Sequence, residues 1–137
     1  MRIVIDSNAL FAALIKDSTT RRIILEYESL FLFPEVIFEE IDKYKSDLLR
    51  KSEMDEKEFN KLLGLILRKV TIVPTELLDL YYDESATLAK SVESPEDQPF
   101  FACALVYPGC VIWSNDKKLR KQTKVQIITT SEMINLL

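Results

Sequence analysis

No histidine occurs in the 137 residues. That one gap removes Ser/His and Cys/His nucleophilic pairs, the common zinc ligand sets and the usual general base at neutral pH. The two glycines, Gly64 and Gly109, are too few for a Walker loop or a G-x-G-x-x-G dinucleotide turn. The two cysteines, Cys103 and Cys110, stand in apolar surroundings without C-x-x-C spacing, and they read as small hydrophobes rather than a disulfide framework or zinc site. No apolar stretch approaches the roughly 20 residues that a membrane-spanning helix needs, and the run Ile3-Val4-Ile5 is too short for a signal-peptide core. The expectation is a cytoplasmic protein without membrane association. Its chemistry is left to carboxylates, Lys, Tyr, hydroxyls or a bound metal.

What is present suits a globular domain. Hydrophobic residues make up 47% of the chain and charged residues 29%, with no Gly/Ser linker, low-complexity tract or repeat, so residues 1–137 are expected to form one domain. The formal net charge of -4 argues against gripping nucleic acid by bulk electrostatics. Its distribution is uneven, because from Val111 onward Lys117, Lys118, Arg120, Lys121 and Lys124 face only Asp116 and Glu132. A solvated helix face explains such a basic run equally well.

Apolar spacing predicts strands at Arg2 to Ile5, Leu30 to Phe33, Val70 to Val73, Cys110 to Trp113 and Val125 to Ile128. Between them it predicts helices: one from the cap Asp6-Ser7-Asn8 through Ile15, one starting near Ser18 or Thr19, and one from Glu35 bearing Ile37, Ile41, Tyr44 and Leu48. Others follow at Phe59 to Leu67 after a turn within Arg50 to Lys57, at Leu77 to Ala89, and at Phe100 to Tyr107, which is apolar all round. A short helix at Lys117 to Lys121 and a terminal one at Ser131 to Leu137 complete the order. Strands separated by helices imply right-handed crossovers. The expected fold class is α/β, a three-layer α/β/α sandwich with a mostly parallel central sheet.

Two of these strands lead into aspartates, Asp6 and Asp116, and parallel strands would bring both to the sheet edge where open α/β proteins bind ligands. Asp6 has a structural rival role as a helix cap, but Ser7 and Asn8 would serve equally. Glu40 lies on the border of the stripe formed by Ile37, Ile41, Tyr44 and Leu48, whereas Glu39 points nearly opposite. Asp97 precedes Pro99, which is best accommodated in a helix's first turn, so Asp97 is expected to cap the apolar helix; a carboxylate there is also favoured electrostatically. Glu96 is the alternative at this position. Ser114 and Asn115 compete with Asp116 as caps. A cluster of four carboxylates without imidazole or thiolate suits Mg²⁺ or Mn²⁺, and such charges need a cation to hold them together.

The strings IVIDSN, PEVIFEEI, PEDQPFFACALVY and VIWSNDKKL resemble, in that order, the four acidic motifs of the PIN domain over essentially the whole chain. Asp6, Glu40, Asp97 and Asp116 fall on its four acids. The resemblance implies a small α/β nuclease fold, dependence on Mg²⁺ or Mn²⁺ and endonucleolytic cutting of RNA, often by a homodimeric toxin of the VapC type held inactive by an antitoxin. On this reading Asp6, Asp97 and Asp116 hold metal, Glu40 binds metal or orients the water, and Lys117, Lys118 and Arg120 are candidates for phosphate contacts. An aspartyl phosphatase would need a second acid two residues after Asp6, where Asn8 stands. A PIN-like scaffold with a degenerate pocket, binding RNA or protein, is the remaining alternative.

Overall fold

The computed structural model describes residues 1–16 and 18–136. Its centre is a sheet of five strands: β1 (Arg2–Ile5), β2 (Leu30–Pro34), β3 (Val70–Val73), β4 (Val111–Trp113) and β5 (Gln126–Ile128). They lie in the order β3-β2-β1-β4-β5, and every pairing is parallel. The helices are α1 (Ser7–Ile15), α2 (Thr19–Glu26), α3 (Ile37–Ser52), α4 (Glu56–Arg68), α5 (Thr75–Asp79), α6 (Tyr82–Ser91), α7 (Gln98–Val106) and α8 (Thr130–Leu136). The expected terminal helix thus appears one residue earlier than predicted, and Leu137 lies outside the described residues. None of the described helices is long and apolar enough to cross a membrane.

Alternation along the strands divides the interior into two cores. Ile3, Ile5, Phe31, Phe33, Val111 and Trp113 face α1 to α4 and Met133 of α8. Val4, Leu32, Ile112 and Ile127 face α5, α6 and the apolar α7. Because both faces are covered, the strands read as unbroken apolar runs rather than alternating ones. This is the three-layer α/β/α sandwich, with a sheet that is wholly parallel.

Strand order also fixes where a site can form. From β1 the chain builds outward through β2 and β3, then returns through α5, α6 and α7 to lay β4 on the other side of β1. The crevice beyond the carboxyl ends of β1 and β4 is therefore the topological switch point, the usual ligand position in open α/β sheets. The register pairs Ile5 with Trp113, and the Asp6 amide continues the ladder by donating to the Trp113 carbonyl at 3.2 Å.

Several boundaries differ from the sequence reading, and three of them have an evident physical cause. The predicted helix at Leu77 to Ala89 is two helices, α5 and α6, broken around Leu80 and Tyr81. Leu80 and Tyr82 are exposed, so no packing holds a continuous helix there, and the acidic pair Asp83-Glu84 favours a fresh N-terminus. Helix α3 starts at Ile37 rather than Glu35. Glu35 is used otherwise: its carboxylate accepts from the Thr75 amide at 3.0 Å and the Thr75 hydroxyl at 2.9 Å, tying the start of α5 to the end of β2. Helix α3 also runs through Ser52, so the turn narrows to Glu53-Met54-Asp55, with Glu53 in the left-handed region and Asp55 capping the Glu58 amide at 2.8 Å.

Candidate active site

Asp6 is the N-cap of α1, with its Oδ1 accepting from the Ala9 amide at 2.8 Å. Only 4% of the residue is exposed. Burial is the main reason its carboxyl is pushed up to about 6; hydrogen bonds from Ser114 and the Ala9 amide oppose the rise, and the charges of Asp97 and Asp116 add to it. The cap and the candidate chemistry thus share one side chain, and Ser7 and Asn8 do not relieve Asp6 of the capping duty.

Asp116 opens the 3-10 turn Lys117–Lys121 and caps it through the Lys118 amide at 3.0 Å. Its own amide donates to the Ser114 hydroxyl oxygen at 3.0 Å. Ser114, buried at the end of β4, therefore links the two strand-end aspartates: its hydroxyl bonds Asp6 while its oxygen receives the Asp116 amide.

Asp97 differs from the expectation. It occupies the N-cap position of α7, yet its side chain makes no capping bond. Instead its carboxylate accepts from the hydroxyl of Ser94, a fully buried residue that also reaches Glu96 at 2.9 Å. Glu93 just before it adopts a left-handed backbone with φ 58°, the sharp turn from α6 that sets Ser94 inward. Burial raises the Asp97 carboxyl, with the Glu96 and Asp116 charges adding and Ser94 and Lys118 opposing. Glu96 is exposed, and hydrogen bonds from its own amide and Ser94 hold its carboxyl low.

Glu40 projects from the first turn of α3 and accepts from the Ser7 hydroxyl. The contrast with Glu39 holds in three dimensions, since Glu40 lines the cleft that contains Asp6, whereas Glu39 lines a different one with Glu35, Thr75 and Phe38.

All four predicted acids, with Glu96, line one cleft of about 710 Å³. Asp6 and Asp116 also border a smaller adjoining cleft of about 340 Å³ lined by Asn8, Asn115 and Thr20. The three aspartates feel one another electrostatically; Glu40 stands apart on the α3 wall. Among the described residues no group of three His, Cys, Asp or Glu side chains is close enough to hold a single ion. The donor set nevertheless fits a hard divalent cation: it is all oxygen, and Asp6 and Asp97 carry raised carboxyls that added positive charge would bring down.

Two groups have roles in the folded protein that the sequence reading does not give them. Ser7, Ser94 and Ser114 each give a hydrogen bond to one of the acids, and a hydroxyl within three residues of Asp6, Asp97 and Asp116 was the available signal. Lys43, Tyr44 and Lys51 line the same cleft from α3, although spacing puts Tyr44 in the apolar stripe of that helix. Arg120 is already engaged, by the Glu132 carboxylate and by the Ile127 carbonyl at 3.3 Å. Neither it nor Lys117 or Lys118 lines the acidic cleft.

Residues 4–136 match the sequence family described as PIN domain. No curated protein matches the chain.

Proposed function

The chain belongs to the PIN-domain family, whose members are in general nucleases, and from that premise we propose that it is a Mg²⁺- or Mn²⁺-dependent endoribonuclease. The observation that carries this reading is that Asp6, Asp97 and Asp116 line one cleft at the switch point of the sheet, with a second cleft adjoining it at Asp6 and Asp116. A polymer needs room on both sides of the bond that is cut, and adjoining clefts supply it.

Asp6, Asp97 and Asp116 would hold the cation, with Glu40 as a further ligand or as the group that orients water. When bound, the cation lowers the pKa of water and offsets charge on the phosphate. The chain's own part is to keep oxygens in place: Ser114 fixes Asp6, Ser94 fixes Asp97 and Ser7 fixes Glu40. Glu40 accepts a hydrogen bond from the Ser7 hydroxyl on one oxygen and has a second to turn toward a water. Asp6, as cap, is anchored to the start of α1 and does not swing with a loop.

We take residues 1–137 to act as a single cytoplasmic nuclease domain, and the VapC-like subtype with its antitoxin rests on the motif resemblance alone. Homodimer formation has a physical support in Phe38 of α3 and Leu65 of α4, each 42% exposed; sedimentation at low concentration tests it. The second reading, a PIN-like scaffold that binds RNA or protein with a degenerate pocket, is favoured by the absence, among the described residues, of any three acids close enough to share one ion. Incubating single-stranded RNA with the protein in Mn²⁺ and in EDTA separates the two. Cleavage in Mn²⁺ that disappears in EDTA and in Asp6→Asn supports hydrolysis at this pocket. RNA left intact in Mn²⁺ counts against hydrolysis and favours the scaffold reading.

A further inference from the structure

The wall of the acidic cleft opposite the strand ends is one face of α3. Glu40, Lys43, Tyr44, Asp47 and Lys51 all line it, at offsets of three, four, seven and eleven from Glu40, which is the spacing of a single helical stripe. Tyr44 is 40% exposed. Phe11 of α1 meets it edge-on, with centroids 5.6 Å apart and planes at 65°, so the ring is braced from one side. The Lys43 ammonium lies over the ring at 5.3 Å from its centroid. Among the described residues neither Lys43 nor Lys51 has a carboxylate partner, while Asp47 is neutralised by Arg50 at 3.0 Å.

We propose that this stripe is a nucleotide-binding shelf in which Tyr44, braced by Phe11, stacks one unpaired base and Lys43 and Lys51 take backbone phosphates on either side of it. The inference rests on the ribonuclease reading for the identity of the polymer, but it is a statement about binding alone. From Lys43 to Lys51 is roughly 12 Å along the helix axis, about two steps of an extended single strand. A base can lie on the ring only if it is free of a duplex, since stacking on an aromatic side chain requires a splayed base. Phosphate drawn to Lys43 also moves the ammonium off the ring and frees its face. The shelf therefore selects single-stranded over paired substrate, and it places the strand beside Glu40.

The test is a titration in EDTA of a single-stranded oligoribonucleotide containing 2-aminopurine, with its duplex as control. Wild type should quench the probe saturably and the duplex should not. Tyr44→Phe should behave as wild type, whereas Tyr44→Leu should lose the quench and bind at least about 5-fold more weakly. Lys43→Gln and Lys51→Gln should each lower the salt slope of binding by about 0.7. A strand carrying 5-iodouridine should photocrosslink to Tyr44 in the wild type, a readout independent of any variant. No quench by wild type, an unchanged Tyr44→Leu, equal quenching by duplex, or a crosslink elsewhere would overturn the shelf. Intact quenching without Mn²⁺-dependent cleavage sinks the hydrolytic reading and leaves the shelf standing; normal cleavage with an inert Tyr44 does the reverse.

Discussion

Replacing Asp6 by Asn should abolish cleavage and, in the absence of metal, make the protein more stable. Burial lifts the Asp6 carboxyl from 3.8 to about 6, so the folded chain favours the neutral acid while the unfolded chain ionises it freely. Between those two values the native state binds the extra proton, and stability falls as pH rises. The contribution is fully present below about 3.8, and is lost as pH climbs through about 6. A shift of about two units corresponds to roughly 3 kcal/mol at pH 8. Asparagine carries no such cost. Its side-chain oxygen can still accept from the Ala9 amide, which is 2.8 Å from Asp6 Oδ1, and Asn is as good a cap as Asp. Its amide can donate to Ser114. Thermal melts in EDTA from pH 4 to pH 8 should show the two proteins alike at the acid end and Asp6→Asn pulling ahead through pH 6, by up to about 10 °C at a few degrees per kcal/mol. Taking the difference between the proteins cancels every other titrating group. Saturating Mn²⁺ should then raise wild type alone, by about 2.7 kcal/mol at a hundredfold excess over Kd, and so narrow the gap. An Asp6→Asn protein no more stable than wild type at pH 8 in EDTA would refute the claim that the buried charge is costly, and with it the reason a cation is needed there.

The remaining predictions concern groups that hold the pocket or its foundation. Ser94→Ala removes the donor to Asp97 and Glu96; it should destabilise by about 1–3 kcal/mol in urea melts and push the Asp97 carboxyl further up, visible in carboxyl NMR titration. Cys103 and Cys110 should stay silent to a thiol reagent in the native protein and react only on unfolding, because both are buried, with the Cys103 thiol pushed well up and that of Cys110 to about 11. Trp113→Ala should cost about 3–5 kcal/mol by denaturant titration, since the ring is fully buried beneath α1 to α4 and its Nε1 donates to Thr130 Oγ1 at 3.0 Å.

The acids were legible because each sat at a place the backbone dictates. Ile3-Val4-Ile5 and Val111-Ile112-Trp113 are unbroken apolar runs, as strands covered on both faces are, and a parallel sheet sends Asp6 and Asp116 to the same edge. Glu40 was separable from Glu39 because α3 has one apolar stripe and an angle of about 100° per residue decides which neighbour borders it. What stayed hidden was set by contacts between distant segments. Asp97 was expected to cap α7, and the cap was not made because Ser94, turned inward by the left-handed Glu93, captures its carboxylate first. Tyr44 fits the apolar stripe by spacing, yet it meets Phe11 of α1 edge-on and stays exposed on the cleft wall; periodicity identifies a face and cannot say where along that face the neighbouring layer ends. The serines follow the same logic. A hydroxyl near an acid reads as a rival cap along the chain, and in the folded protein Ser7 and Ser114 are allies of acids on other segments, bonding Glu40 and Asp6. A carboxylate pocket built on a parallel sheet is thus announced by its acids and assembled by its hydroxyls, and substitution of those hydroxyls is the sharper probe of whether the pocket is tuned for chemistry.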